Sequence, residues 1–394
     1  MEESGAPSNM VEWWMEFIAV VKRLGRNVVF MLNLFSSVFV VLANVGFYTF
    51  LPKYFEFAFR QKASTAAVAG GAANCVASAV GLIAAGYVIK RWQPSARWLS
   101  VWMSATTFMG VIGSLSLIGI GCPSLEIEGM SSSTTRNIEF ENSSSICNSG
   151  CICSKQRFSP ICSADGSMTF FSPCHAGCLS FKTSDSENVY NSTINNSLKL
   201  YESCSCVNND LEKIESLSLN KQLWWSKDLE TKLRLNGNAA NTDLLSDVAI
   251  EGYCPSTCQQ QFSLLVIVGI IFGSMAATGL LPSTLINMRA IRRIDKSASI
   301  TLSVSVLSAF AILPSPIIFG AIFDSSCTIW GEKCGETLNC LVYDTDKLRT
   351  SISLLMASLF SLALIGNIAV WYYVKELKIY GETDDNKAKS TKTI

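Results

Sequence analysis

Charge is scarce in this sequence. Of its 394 residues, 16% are Asp, Glu, Lys or Arg, against the ~25% of ordinary soluble domains. The 31 basic and 31 acidic residues cancel, which excludes the bulk basic footprint of a nucleic-acid binder and the composition of an acidic tail. Histidine is nearly missing. His175 is the only one, so a Ser-His-Asp triad would have a single base to draw on. There is no Gly-x4-Gly-Lys-Ser/Thr loop and hence no ATP motor. No enzyme motif is present, and neither a metal nor a cofactor is expected.

Long apolar runs, by contrast, are abundant. Six stretches contain no Asp, Glu, Lys or Arg: 28–50, 63–89, 98–121, 262–286, 298–323 and 351–374. Each is near the ~20 residues that cross a hydrocarbon core. A charge at mid-bilayer costs at least about 2.5–3.5 kcal/mol, so six clean windows predict six membrane spans. The chain is expected to be a membrane protein with one large polar loop.

The flanking charges set an orientation. With the N-terminus inside, the inner segments carry fifteen Lys and Arg, and the two short outer loops carry six. The long loop is not counted, because long loops cross largely regardless of charge. Both termini are therefore expected to be cytoplasmic. No cleavable signal is legible at the start, where Glu2 and Glu3 stand in place of a basic region. Trp14, Phe17, Ile18 and Val21 recur at helical spacing before Lys22 and Arg23, which predicts an interfacial amphipathic helix over 10–26.

Residues 122–260 read differently, being rich in Ser, Asn and Cys. Eleven of the 15 cysteines lie there: Cys122, Cys147, Cys151, Cys153, Cys162, Cys174, Cys178, Cys204, Cys206, Cys254 and Cys258. So do all three glycosylation sequons, at Asn142, Asn191 and Asn195. Both features belong to an oxidising, glycosylating compartment, in agreement with the charge count. Eleven cysteines cannot all pair among themselves. Cys327, Cys334 and Cys340 in the last outer loop raise the number to 14, with Cys75 alone in the second span. Either a cysteine near Cys122 or Cys258 pairs with the 327–340 loop, or each loop keeps one free thiol. Spacing alone does not give the connectivity. His175 sits among these cysteines, and a structural role is expected for it.

The segment Pro160-Ile-Cys162-Ser-Ala-Asp165-Gly166, followed by Thr169-Phe170, Pro173-Cys174-His175-Ala-Gly177-Cys178, resembles a Kazal-type domain. Asp165-Gly166 supplies a tight turn, and disulfides staple a fold too small for its own core. Phe170 stands where such domains usually have Tyr, and Ser172 where they usually have Asn. A Kazal domain between membrane spans, with this Ser-Pro-Cys-His-Ala-Gly-Cys ending, resembles the organic-anion-transporting polypeptide family, a branch of the major facilitator superfamily. Phe50-Leu-Pro52-Lys53-Tyr54 with Glu56, Gly86-Tyr-Val-Ile-Lys90-Arg91, Pro282 with Arg289, and Leu313-Pro314-Ser-Pro316-Ile-Ile-Phe319-Gly320 through Asp324 carry the resemblance onward. So do Cys327, Trp330, Cys334-Gly335, Cys340 and Tyr343, and the likeness covers about residues 10–375.

The resemblance implies an all-α membrane protein: six transmembrane helices, the C-terminal half of a twelve-helix major facilitator fold, with a small disulfide-rich Kazal-like extracellular domain. The expected divisions are a cytoplasmic leader with an interfacial helix at 1–27, three spans at 28–121 and an extracellular cysteine-rich loop at 122–260. The Kazal-like domain occupies about 141–206 of that loop. Three further spans follow at 261–374, and a cytoplasmic tail at 375–394. The location implied is the plasma membrane. The function implied is sodium-independent transport of large amphipathic organic anions by alternating access of two bundles about a midplane site. The partners implied are the anion substrate, membrane lipid and an N-terminal six-helix half that this sequence lacks, making the chain a half or truncated form. The 47 residues between Cys206 and Cys254 are longer than usual for the family, and low order is expected around Asn236–Asn241. Ser308 stands where several relatives carry an arginine midway along the eleventh span.

Polar residues inside the spans should face a cavity or another helix. Asn33, Asn44, Tyr48, Thr278 and Ser308 are the candidates of this kind, with Phe272 as part of an apolar wall. Asn44 and Tyr48 are four residues apart and share a helix face with Lys53 one turn on, and Lys53 is expected to meet the anion as a point charge. Arg289 is a further candidate, set against a role as a cytoplasmic anchor. Pro282, Pro314 and Pro316 each remove a backbone hydrogen bond and loosen a helix. An alternative reading is a non-transporting membrane protein whose Kazal-like module binds a protease or other extracellular protein through residues 154–161.

Overall fold

The computed structural model describes residues 10–122, 127–128, 153, 158–164, 166–183, 199–207, 247–254, 258–333 and 336–376. The three sequons, Cys147, Cys151, Cys334, Asp165, residues 154–157 and the Asn236–Asn241 stretch lie outside them. The chain divides into two compact units. The first comprises residues 1–121, 259–325 and 345–394, and the second comprises 122–258 and 326–344.

The first unit is helical. Its helices are α1 (Met10–Gly25), α2 (Val28–Ala58), α3 (Ala63–Trp92), α4 (Ala96–Ser116), α5 (Cys258–Thr278), α6 (Leu280–Ala290), α7 (Lys296–Leu307), α8 (Pro314–Ser325) and α9 (Thr345–Tyr373). Among the described residues, six segments are long and apolar enough to cross a membrane: α2, α3, α4 with its following turn, α5–α6, α7–α8 and α9. They coincide with the six runs read from the sequence, each lengthened at one end or both.

Two of the spans are broken, and proline explains both breaks. Pro282 has no N–H for the carbonyl of Thr278, and the helix parts there, with Gly279 between α5 and α6. The chain regains its ladder when Ser283 N–H donates to Gly279 O at 3.3 Å. Ahead of Pro314, residues Ser308–Ile312 form a wide turn in which Leu313 N–H reaches back five residues to Ser308 O at 3.0 Å. Pro52, in contrast, is absorbed inside α2 without a break.

Lipid is as apolar as a leucine side chain, so apolar burial alone does little to hold membrane helices together. Close packing of small residues and interhelical hydrogen bonds carry more of the association. Gly81 of α3 faces α5 so closely that a Cβ would overlap the Ser274 carbonyl and come within 2.7 Å of the Ala277 Cβ. Gly46 of α2 lies against the Phe319 ring of α8. Gly366 of α9 meets Ser36 and Phe35, and the Ser36 hydroxyl donates to Ala363 O at 2.9 Å. Half of the apolar window of α9 is buried, so this helix runs through the middle of the unit. Gly269 has open space around it, while Gly273 abuts Ala77.

Helix α1 forms where its amphipathic pattern predicts, and it is docked. Leu24 packs with Phe30, Leu34 and Ile291. Asn27 caps α2 by accepting from Phe30 N–H at 3.2 Å, while its amide donates to Ala290 O at 2.6 Å.

The second unit is built on strands. The strands β1 (Ile127–Glu128), β2 (Ile161–Ser163), β3 (Thr169–Phe170), β4 (Cys178–Thr183), β5 (Lys199–Cys204) and β6 (Ala249–Glu251) form one sheet in the order β1-β3-β2-β6-β5-β4. A separate hairpin pairs β7 (Cys327–Lys333) with β8 (Glu336–Tyr343). Gly166 has φ 71°, and its N–H closes a tight turn onto Ser163 O at 2.9 Å. Gly177 has φ 68°, and its side-chain position is taken by the Ser205 hydroxyl. Ile161, Phe170, Ala176, Cys204, Val207 and Ala249 form a small core.

Five disulfides join described cysteines: Cys122–Cys258, Cys153–Cys174, Cys162–Cys254, Cys178–Cys204 and Cys327–Cys340. Cys206 is bonded as well. Cys122 and Cys258 thus pair with each other. Neither of them reaches the 327–340 loop, where Cys327 is closed by Cys340 across its own hairpin; the third cysteine of that loop, Cys334, lies outside the described residues. Cys75 is free and exposed on α3. His175 Nδ1 lies 2.7 Å from the Ser172 hydroxyl, and its ring packs edge-on to Phe171.

Candidate binding cavity

A cavity of about 630 Å³ opens within the helical unit, inside the ~300–1,000 Å³ range of small-molecule sites. Helices α2, α3, α4, α5, α6 and α9 all contribute walls. A smaller one of about 120 Å³ adjoins it and shares Asn44, Tyr48, Asn74, Gly110, Gly273 and Phe360.

The sequence candidates divide. Asn33, Asn44 and Tyr48 line the larger cavity, and Phe272 lines the smaller one beside Asn44 and Tyr48. These positions are fixed by helical spacing on α2, where residues 33, 37, 40, 41, 44 and 48 present one face. Thr278 lines neither. It sits at the α5–α6 break and accepts the Trp102 indole N–H at 3.0 Å. Ser308 is exposed in the wide turn before Pro314, and Arg289 is exposed in the last turn of α6. Lys53 is not a wall residue of either cavity, and its ammonium lies 5.6 Å from the Phe323 ring centroid. Phe35 and Phe39 meet edge to face with ring centroids 4.9 Å apart and line neither cavity.

Asn33 is fully buried, and it exchanges two hydrogen bonds with Ser283. Its amide donates to the Ser283 carbonyl, and its carbonyl accepts the Ser283 hydroxyl, each at 3.2 Å. This clamp joins α2 to the piece of chain released by Pro282. On the facing side, Asn367 of α9 donates to the Thr107 hydroxyl of α4 at 2.8 Å. Neither Asn367 nor Thr107 stood out in the sequence. The available signal was an isolated Asn within an uncharged apolar run.

Among the described residues, no Asp, Glu, Lys or Arg lines either cavity. The walls are uncharged and of mixed polarity, suited to a large ligand with apolar surface and scattered hydrogen-bonding groups. Among the described residues, no group of three His, Cys, Asp or Glu is placed to hold a metal ion.

The family model described as the Organic Anion Transporter Polypeptide (OATP) family matches residues 2–348. Solute carrier organic anion transporter family member 74D of Drosophila melanogaster is 28% identical over 367 residues, covering 93% of this chain and 39% of that protein. Member 4C1 of Mus musculus is 29% identical over 336 residues, covering 84% and 41%. Member 1C1 of Homo sapiens is 25% identical over 379 residues, covering 94% and 47%. The chain therefore spans less than half the length of these relatives.

Proposed function

The chain belongs to the Organic Anion Transporter Polypeptide family, and from that membership we propose that it takes part in moving large amphipathic organic anions across a membrane. The single observation that carries this reading is the uncharged cavity of about 630 Å³ walled by five of the six membrane-capable segments. A cavity of that size and polarity fits a bulky ligand whose body is apolar.

In this reading the chain forms one of two bundles, and the cavity seen here is one wall of a shared midplane site. Access alternates as the bundles rock, without sodium coupling. The helix breaks at Gly279 and before Pro314 are the flexible points of this bundle. The plasma membrane is the site of action, with both termini cytoplasmic and the disulfide-rich unit outside. Lys53, one helical turn beyond Tyr48 on α2, attracts the anion toward the cavity rather than lining it.

Uptake of a radiolabelled sulfated steroid by cells expressing the chain tests the proposal. It is measured for the chain alone and together with a six-span N-terminal half from a relative. Uptake above untransfected cells, unchanged when sodium is replaced by choline, supports it. No uptake in either configuration, with the chain present at the cell surface, rejects it.

A further inference from the structure

The hydrogen bonds around Asn367 specify what kind of group this cavity accepts. Asn367 is buried, with 3% of its surface exposed, and it lines the cavity. Its amide nitrogen donates to Thr107 Oγ1 at 2.8 Å, while its Oδ1 has no hydrogen-bond partner. The orientation of the amide is not arbitrary. The Thr107 hydroxyl already gives its one proton to Met103 O at 2.8 Å, so its oxygen is left to accept, and it requires the nitrogen of Asn367 rather than the oxygen. The atom left over is therefore an acceptor.

The neighbouring wall shows the same bias. The hydroxyls of Ser36, Ser37, Thr106 and Ser283 donate to Ala363 O, Asn33 O, Met103 O and Asn33 Oδ1. Each has spent its proton within the protein, and all four line the cavity with Asn367. Lone pairs repel an anionic head and favour a donor. Tyr48 and Asn74, further along the cavity, carry groups able to donate.

We propose that Asn367 Oδ1, held by Thr107, receives a hydroxyl or N–H donor on the neutral end of the substrate, so that the anionic end points away from this wall. The assignment rests on the transport reading and narrows its substrate class to amphipathic anions with a donor remote from the charge. A buried amide oxygen left unpaired is destabilising, which a ligand donor relieves and a ligand acceptor does not.

The test compares two sulfated steroids identical except at the end opposite the sulfate, where one carries a hydroxyl and the other a ketone. Their binding to the full chain in lipid nanodiscs is measured by competition against a labelled sulfated steroid. The hydroxyl form is expected to bind about tenfold tighter, within the factor such an unpaired acceptor implies. Asn367→Leu should abolish the difference by weakening the hydroxyl form alone. Thr107→Val, which frees the amide to turn, should reduce the difference while leaving the ketone form unchanged. Equal binding of both ligands to the unaltered chain overturns the assignment without needing any variant, and leaves the transport reading in place. A preference that survives Asn367→Leu also overturns it. If neither steroid nor the labelled probe binds, the transport reading fails and this assignment fails with it.

Discussion

Arg23 Nη2 lies 2.8 Å from Asp295 Oδ1, tying α1 to the turn Arg293–Asp295 between the fourth and fifth spans. The two partners are unequal. The Arg23 side chain is half exposed, whereas that of Asp295 is only 6% exposed.

That asymmetry makes the bond testable. Arg23→Ala leaves a nearly buried carboxylate without its cation, whereas Asp295→Asn removes the charge that needs one. Hydrogen exchange of the α1 amides should quicken several-fold in Arg23→Ala. The double variant with Asp295→Asn should exchange more slowly than Arg23→Ala alone. Additive effects of the two changes would show that the pair is not coupled.

Glycine packing between α3 and α5 supplies a second prediction. Gly81→Val would drive its side chain into Ala277 and the Ser274 backbone. Overpacking of this kind costs about 1–3 kcal/mol, and no flexible side chain is there to yield. Size-exclusion chromatography should show a marked loss of the monodisperse protein. Gly269→Ala, with nothing within 4 Å, should leave the profile unchanged, and equal damage by both would refute the packing described.

The Cys122–Cys258 bond closes a separation of 136 residues. In the chain-entropy account, a closure of that length contributes about 5 kcal/mol. Non-reducing peptide mapping should recover a peptide pair holding Cys122 and Cys258, and another holding Cys327 and Cys340. Cys122→Ser should lower surface delivery several-fold. A mapped link from Cys122 to the 327–340 loop would contradict the pairing.

Glycosylation tests the orientation. If the loop from 122 to 260 is extracellular, glycosidase treatment should shift the mobility of the chain, and replacement of Asn142, Asn191 and Asn195 together should remove the shift. A chain of unmodified mobility would argue for the opposite orientation.

Much of the helical unit was legible because charge exclusion over some twenty residues is a strong one-dimensional signal. The breaks at Gly279 and Pro314 could be anticipated too, since proline acts on its own helix. Which polar groups meet was not legible. Asn367 and Thr107 are 260 residues apart, and nothing local to either marks the other. The pairing of Cys162 with Cys254 crosses 92 residues, so it could not be derived from spacing. Lys53 shows how helical spacing separates near neighbours in sequence. It points about 140° round α2 from Tyr48 and about 180° from Asn44, and it lies off both cavity walls with its ammonium near the Phe323 ring.

Photoaffinity labelling tests the central claim most directly. A sulfated steroid bearing a diazirine is irradiated with the chain in nanodiscs, and the modified peptides are identified by mass spectrometry. Modification should fall on α2, α4 and α9, near Tyr48, Thr107 and Asn367, and excess unlabelled steroid should suppress it. Modification confined to the disulfide-rich unit, or scattered over the helices and indifferent to competitor, would contradict the account.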